Sequence, residues 1–197
     1  LRNVEKISGI NRIEVLDELK MLLADDEILY NCPDKKQELL MSYAKACENC
    51  TSGGTVLVPI AAICENLEHK AEWMMKNIRE NEWIPDGTDG GWFNGYYDKN
   101  GRPVERCESG DVRMMLTGQV FAIMSGTAKK EQIKAICNSA DKYLFDQKAG
   151  GYRLNTDFKE EKFDLGRMFG FAYGEKENGA VFSHMAVMYA NALYKQG

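Results

Sequence analysis

The chain has 197 residues and a mass of 22.3 kDa, with 44% apolar and 28% charged residues. Those are the proportions of a folded globular protein, which excludes a disordered chain. Its 25 basic and 30 acidic residues, net charge −5, are interspersed without a basic stripe, and no apolar run approaches the roughly 18 residues of a membrane span. Nucleic acid and membrane are therefore not expected partners. No signal peptide opens the chain and Leu1 is not an initiator methionine, so the start reads as a boundary inside a longer sequence. Cysteines stand at 32, 47, 50, 64, 107 and 137. Cys47-Glu48-Asn49-Cys50 has no second pair and only His69 and His184 as histidines, too little for a zinc site. Reduced, mostly buried thiols in a cytoplasmic protein are expected.

Ile13, Val15, Leu16, Leu19, Leu22 and Leu23 recur at three- and four-residue steps and predict an amphipathic helix. Pro33 suits the first turn of a second helix, to about Ala46. Beyond Thr51-Ser52-Gly53-Gly54, an apolar helix is expected from Thr55 to Leu67 and a more polar one from His69 to Arg79, together a helical hairpin. The arrangement recurs with an apolar helix at Met114 to Met124 and a polar partner at Lys130 to Phe145. A further apolar helix is expected from about Gly179 to Tyr194. Long connections at about 81–111 and 146–178 are where sites tend to sit. In the first, Trp92 to Tyr97 and Arg102 to Val104 flank Asp98-Lys99-Asn100-Gly101, a β-hairpin turn. Gly150 to Leu154 predicts another short strand. The expected fold is mainly α: helical hairpins of an (α/α) toroid, partial at about half a ring, with short β-hairpins in the long loops. Residues 1–50 read as a helical segment of unclear assignment.

Two stretches are rich in chemistry. Asp86-Gly87-Thr88-Asp89-Gly90-Gly91-Trp92 lacks the alternating oxygens of a calcium loop. Its glycines and indole suit either a sugar stacked on Trp92 or a tight turn with Trp92 as a core plug. In the second stretch, Lys176, Glu177 and Asn178 lead into an apolar helix and His184 follows Glu177 by seven residues. That is about two helical turns, so the two could share one face. Lysine, histidine and the positive end of the dipole could hold an anion such as phosphate. The alternative is a helix cap and a hydrogen-bonded core histidine.

Three segments, in order, resemble glycoside hydrolase family 94, the cellobiose phosphorylase family. Asp89-Gly90-Gly91-Trp92-Phe93, with Tyr97-Asp98 and Gly101, resembles its D-G-x-W hairpin. Gln119 to Gly126 is similar to its Q-S-W-A-V-L-S-G helix, and Lys176 to His184 resembles its K/R-E-N-G-x-x-x-x-H segment. The likeness covers roughly residues 52–197, the C-terminal part of a catalytic (α/α) toroid. It implies an enzyme that cleaves a β-linked gluco-oligosaccharide or disaccharide with inorganic phosphate, inverting the anomeric centre to give glucose 1-phosphate. By that resemblance His184 contacts phosphate, Lys176 and Glu177 contact the sugar, and Asp89, Trp92 and Gln119 shape the substrate site. No metal or cofactor is implied beyond phosphate as co-substrate. The sequence departs from the family at Gly95, where arginine is usual, and it holds no D-W-N-D motif for the general acid. Glu48, just before the Ser52-Gly53-Gly54 turn, is a weak substitute, and the acid is expected outside the chain. The threonine–glycine segment completing that family's phosphate site is expected beyond Gly197. Homodimerisation or association with the rest of the toroid would follow. Two alternatives are an inverting hydrolase on the same toroid using Glu177 and Asp89, and a non-catalytic carbohydrate-binding or scaffold domain.

Overall fold

The computed structural model describes residues 1–24, 26–108 and 110–197. They divide into two units, Leu1–Met75 and Lys76–Gly197.

The first unit opens with α1 (Arg2–Ser8), followed by β1 (Arg12–Leu16). β1 pairs antiparallel with β2 (Thr55–Pro59), Ile13 opposite Val58 and Val15 opposite Val56. This corrects the helices expected from Ile13 and from Thr55. Ile13, Val15, Val56 and Val58 are β-branched and fall at every second position, so one pleated face collects them all. From Asp17 to Leu23 the chain is a 3₁₀ helix, whose last carbonyls are capped from outside. Lys70 Nζ donates to Leu22 O at 2.5 Å and Asn66 Nδ2 to Leu23 O at 2.9 Å. Two helices follow, α2 (Glu27–Asn31) and α3 (Pro33–Cys47), the latter starting on its proline as expected.

The helices expected at 55–67 and 69–79 are one, α4 (Ile60–Asn81), with its last residues in the second unit. No glycine or proline lies between Leu67 and His69, and Glu68 is held by Arg2 at 2.5 Å, so nothing ends the helix there. The expected hairpin at this point is therefore a strand running into a single long helix. All six cysteines are free thiols, but only Cys64 is buried, which corrects the mostly buried set.

In the second unit β3 (Trp83–Pro85) pairs with β4 (Gly91–Phe93), Ile84 opposite Trp92. The turn at 98–101 forms, with Asp98 Oδ1 accepting from the backbone N–H groups of Asn100 and Arg102. Its strands meet only in one bridge, Tyr97 to Pro103, because β4 takes Trp92 and Phe93 into a pair with β3 and Pro103 has no N–H to extend a ladder. A second hairpin joins β5 (Arg106–Glu108) to β6 (Asp111–Arg113). Next come α5 (Leu116–Met124), α6 (Lys130–Tyr143), the pair β7 (Phe145–Asp146) with β8 (Gly151–Tyr152), and α7 (Ser183–Tyr194). Met114 precedes its helix in an extended segment. α7 starts four residues later than expected, because residues leading into it are extended and Ala180 O accepts from Leu154 N.

The chain is mainly α, as expected of a partial (α/α)-toroid domain, with the shorter strand pairs β3–β4, β5–β6 and β7–β8 between the helices of the second unit and the five-residue β1–β2 pair in the first. The core of the second unit is made by Trp92, Leu116, Val120, Ile123, Ile136, Leu144, Met185 and Tyr189. Phe121 and Val187 lie on the outer faces of α5 and α7, 53% and 67% exposed. Among the described residues no helix is long and apolar enough to cross a membrane.

Asp86 fixes the approach of the D-G-x-W hairpin to α6. Its Oδ1 accepts from Thr88 N, Thr88 Oγ1 and Gly90 N, while Lys142 Nζ lies 3.4 Å from Oδ2. Gly90 is obligatory there, since a Cβ would stand 2.5 Å from both Asp86 Oδ2 and Ser139 Oγ. Burial pushes the Asp86 carboxyl up, but the Thr88 and Gly90 donors and Lys142 outweigh it and hold it at about 2. A depressed carboxyl contributes stability above its unfolded pKa and loses it as pH falls through the folded value. Asp86→Asn is expected to cost about 1–3 kcal/mol at pH 7. In urea titrations, the gap to wild type should close between pH 4 and 2.

Candidate functional site

Two groups of sequence-predicted residues lie at the N-terminal ends of α5 and α7. The segment 154–156 ties those ends together. Leu116 N donates to Leu154 O at 2.8 Å, Thr156 N to Met114 O at 3.0 Å, and Leu154 N to Ala180 O at 3.1 Å. The lead-ins to both helices thus flank one extended strand of backbone.

Asn155, fully buried, sits at the middle of this seam. Its Oδ1 accepts from Gly179 N at 2.7 Å, and its Nδ2 donates to Asn178 Oδ1 at 3.0 Å and to Thr156 O at 2.9 Å. Its carbonyl accepts from the Tyr173 hydroxyl. Asn178 in turn donates to Phe171 O at 2.8 Å. Arg153 completes the support, bonded to Asp146 and Gly179 O and lying over the Tyr173 ring. Sequence reasoning missed Asn155 and Arg153, because apart from the Arg153–Asp146 pair their contacts reach residues 173–179, well separated along the chain. Their position within the second long connection was the available signal.

These contacts shape a tight turn, Glu175 to Asn178, that projects Lys176 and Glu177. Gly174 N donates to Asn178 O and Asn178 N to Glu175 O. Gly179 has φ 76, and a Cβ would meet the Tyr173 ring at 2.3 Å, so no other residue fits. Lys176 itself has φ 46, a left-handed backbone unusual for a side-chain-bearing residue. Such strain persists only where the surroundings enforce it, and it is typical of functional turns. Lys176 Nζ lies 4.7 Å from the centre of the Phe171 ring, and Arg167 approaches the same ring at 5.4 Å. Glu177 Oε2 is buried without a hydrogen-bond partner, and its Oε1 lies 3.9 Å from Arg167. A carboxylate oxygen shielded from water and unbonded is a ready acceptor for a ligand hydroxyl.

Glu177 and His184 do not share a helix face: Glu177 belongs to the turn and α7 begins at Ser183. His184 is instead in the first turn of α7, exposed, with its ring 5.4 Å from that of Phe182. It is not a core histidine. An exposed imidazole beside the unpaired N–H groups of a helix start is a setting that favours anions.

Trp92 and Gln119 act from behind. Trp92 is fully buried, its Nε1 donating to Arg113 O and its ring edge-on to Tyr143, so it is the core plug and offers no face to a sugar. Gln119, equally buried, accepts from Phe93 N and donates to Phe93 O and Met115 O, clamping β4 to the start of α5. Asp89 is exposed and accepts from Asn138 Nδ2 at 2.8 Å. Among the described residues, no hydrogen bond links Asp89 to Lys176, Glu177 or His184. Glu48 lies exposed at the end of α3 in the first unit.

A second buried acid supports the hairpin. Glu105, 1% exposed, accepts from Gly95 N at 2.9 Å and Met115 N at 2.8 Å, without a cation beside it. Burial raises its carboxyl to about 8 against these two donors. Gly95, the position where the resembled family usually has arginine, thus serves through its N–H.

A family model, the Glycosyl hydrolase 94 superfamily, catalytic domain, matches residues 61–197. The chain is 32% identical over 116 residues to an N,N'-diacetylchitobiose phosphorylase of Vibrio proteolyticus, covering 56% of this chain and 14% of that protein. It is 30% identical over 99 residues to a solabiose phosphorylase of Paenibacillus borealis, covering 50% and 13%. It is 30% identical over 122 residues to a cellobionic acid phosphorylase of Neurospora crassa, covering 61% and 15%. The matched part of this chain therefore spans about a seventh of those relatives.

Asn155→Ala strips Gly179 N and Asn178 Oδ1 of buried partners, and a loss of about 2–4 kcal/mol in urea unfolding is expected. A carboxyl raised by folding contributes stability below its unfolded pKa and loses it as pH rises through its folded value. Wild type should therefore lose stability between pH 5 and 8, and Glu105→Gln should flatten that slope in thermal melts.

Proposed function

Because this chain belongs to the glycosyl hydrolase 94 superfamily, we propose that it forms part of an inverting glycoside phosphorylase acting on a β-linked gluco-oligosaccharide or disaccharide. Inorganic phosphate is the co-substrate and no further cofactor is invoked. The observation that carries this reading is the strained Lys176–Glu177 turn with its orphaned Glu177 oxygen, a few residues before an exposed His184 at a helix start.

In the proposed reaction an oxygen of phosphate attacks the anomeric carbon on the face opposite the leaving group. The new C–O bond forms as the glycosidic C–O bond breaks, and a carboxylic acid passes its proton to the departing sugar oxygen. Phosphate replaces the activated water of an inverting hydrolase, so a single protein acid suffices. That acid comes from a segment outside residues 1–197. His184 donates an N–H to a phosphate oxygen, reinforced by the first-turn amides of α7. Glu177 Oε2 accepts from a sugar hydroxyl and Lys176 donates to another. Trp92 and Gln119 keep the hairpin seated, and Asp89 frames its outer edge.

Association with the remainder of a toroid, or with a second copy, would cover the exposed apolar faces of α5 and α7, and a cytoplasmic location suits the free thiols. A binding titration with inorganic phosphate tests the reading. Saturable binding is expected, weakened at least tenfold by His184→Ala and strengthened by glucose. Sugar release that does not depend on phosphate, in the full-length enzyme, would instead identify a hydrolase.

A further inference from the structure

Three asparagines in the chain are followed by glycine: Asn94, Asn100 and Asn178. An Asn-Gly pair is chemically labile. The glycine backbone nitrogen, with no side chain to hinder it, can attack the asparagine side-chain amide and close a cyclic imide. The attack needs an amide free to rotate and a backbone nitrogen free to reach it. The fold grants those freedoms unequally.

At Asn94, 6% exposed, Nδ2 donates to Glu82 Oε2 at 3.0 Å and Oδ1 accepts from Glu105 N at 3.3 Å. Gly95 N is held by Glu105 Oε1 at 2.9 Å. At Asn178, Nδ2 donates to Phe171 O at 2.8 Å and Oδ1 accepts from Asn155 Nδ2 at 3.0 Å. Gly179 N is held by Asn155 Oδ1 at 2.7 Å. In both pairs the amide and the attacking nitrogen are bonded to other partners, and they cannot meet until those bonds break.

Asn100 differs on each count. It is exposed at the tip of the 98–101 turn, and among the described residues no hydrogen bond engages its side-chain amide. The turn is held through the backbone, by Asn100 N to Asp98 Oδ1 at 2.8 Å and Gly101 N to Asp98 O at 2.9 Å. Only the second restrains the attacking nitrogen, and an exposed turn bond is readily exchanged for one to water. Gly101 has φ 72, and a Cβ there would meet nothing within 4 Å, so the imide has open space in which to form.

We propose that Asn100 is a site of spontaneous deamidation, its side chain converted by Gly101 N and water to a mixture of aspartate and isoaspartate. Gly101 N forms a bond to Asn100 Cγ, the bond from Cγ to the amide nitrogen breaks, and ammonia leaves with the proton from Gly101 N. Water then opens the cyclic imide at either carbonyl: at Cγ it yields aspartate, at the main-chain carbonyl isoaspartate. Either product adds a carboxylate beside Asp98, which is already paired with Arg102 at 3.2 Å. The isoaspartyl product also lengthens the main chain between Asp98 and Arg102. That draws Arg102 N away from Asp98 Oδ1, which it reaches at 2.9 Å in the unmodified turn. The site is independent of His184, and so of the phosphorylase reading.

Incubation in mildly alkaline buffer tests it, followed by peptide mass spectrometry and isoelectric focusing, on wild type and N100Q. The Asn100 side chain is exposed and unbonded, so N100Q should melt like wild type. In folded wild type the peptide holding Asn100 should convert about tenfold faster than those holding Asn94 and Asn178, the factor that breaking one buried hydrogen bond imposes. In concentrated urea, where the fold's restraints are gone, the three should convert at similar rates. N100Q should remove the main acidic product formed by the folded protein. Conversion at Asn100 no faster than at Asn94 or Asn178 in folded protein would overturn the proposal. So would an Asn100 advantage that persists undiminished in urea, or an acidic product unchanged in N100Q.

Discussion

The second unit depends on one buried amide. Asn155 satisfies Gly179 N with its oxygen and Asn178 Oδ1 with its nitrogen, while its backbone neighbours bond to the lead-in of α5. A side chain with both donor and acceptor is needed, because the partners on its two ends have opposite polarity. Without it, the turn carrying Lys176 and Glu177 would keep, to the segment beside the helix starts, the bonds from Arg153 to Gly179 O and from Leu154 to Ala180 O. Lys176 would then be held in its left-handed backbone by fewer bonds, those within the turn and from Arg153 to Gly179 O.

A division of labour follows among residues that look alike in sequence. Trp92 and Gln119 are motif residues of the sort expected to touch sugar, yet both are sealed inside and hold β4 against α5 and α6. Lys176, Glu177 and His184 reach the surface or keep an unused oxygen. Motif residues can therefore be needed for rigidity as much as for contact. The hairpin shows the same economy: Asp86 and Glu105, two carboxylates in different surroundings, are driven in opposite directions. Asp86 collects donors from Thr88, Gly90 and Tyr143 together with Lys142, whereas Glu105 has two backbone donors. Local hydrogen bonding outweighs desolvation in the first and loses to it in the second.

In the first unit, the apolar steps from Ile13 to Leu23 satisfy a helical period as well as a strand followed by a 3₁₀ turn. Sequence periodicity cannot separate those readings when the run is short. The choice fell to a partner: β2, some forty residues later, presents Val56 and Val58 at the matching alternate positions. With that pairing available, four β-branched residues share a face without crowding a helix turn. The same partner took Thr55–Pro59 out of the expected third helix, while the absence of a breaker at Glu68 let α4 run on.

The sequence alone determined what rests on local chemistry. The starts of α3 and α6, the turn at 98–101, and the motif residues from Asp89 to His184 were legible there, because proline, glycine, aspartate and long apolar stretches act on their immediate neighbours. Family membership was legible for the same reason, through three short motifs in order. Only the tertiary structure decided which of those residues face outward. It buried Trp92 and Gln119, exposed His184, separated Glu177 from the helix, and drew in Asn155 and Arg153, which no motif marks. Each of these outcomes rests on a hydrogen bond, an ion pair or burial between residues far apart in the chain, and the pattern of neighbours along a sequence carries no record of such distances.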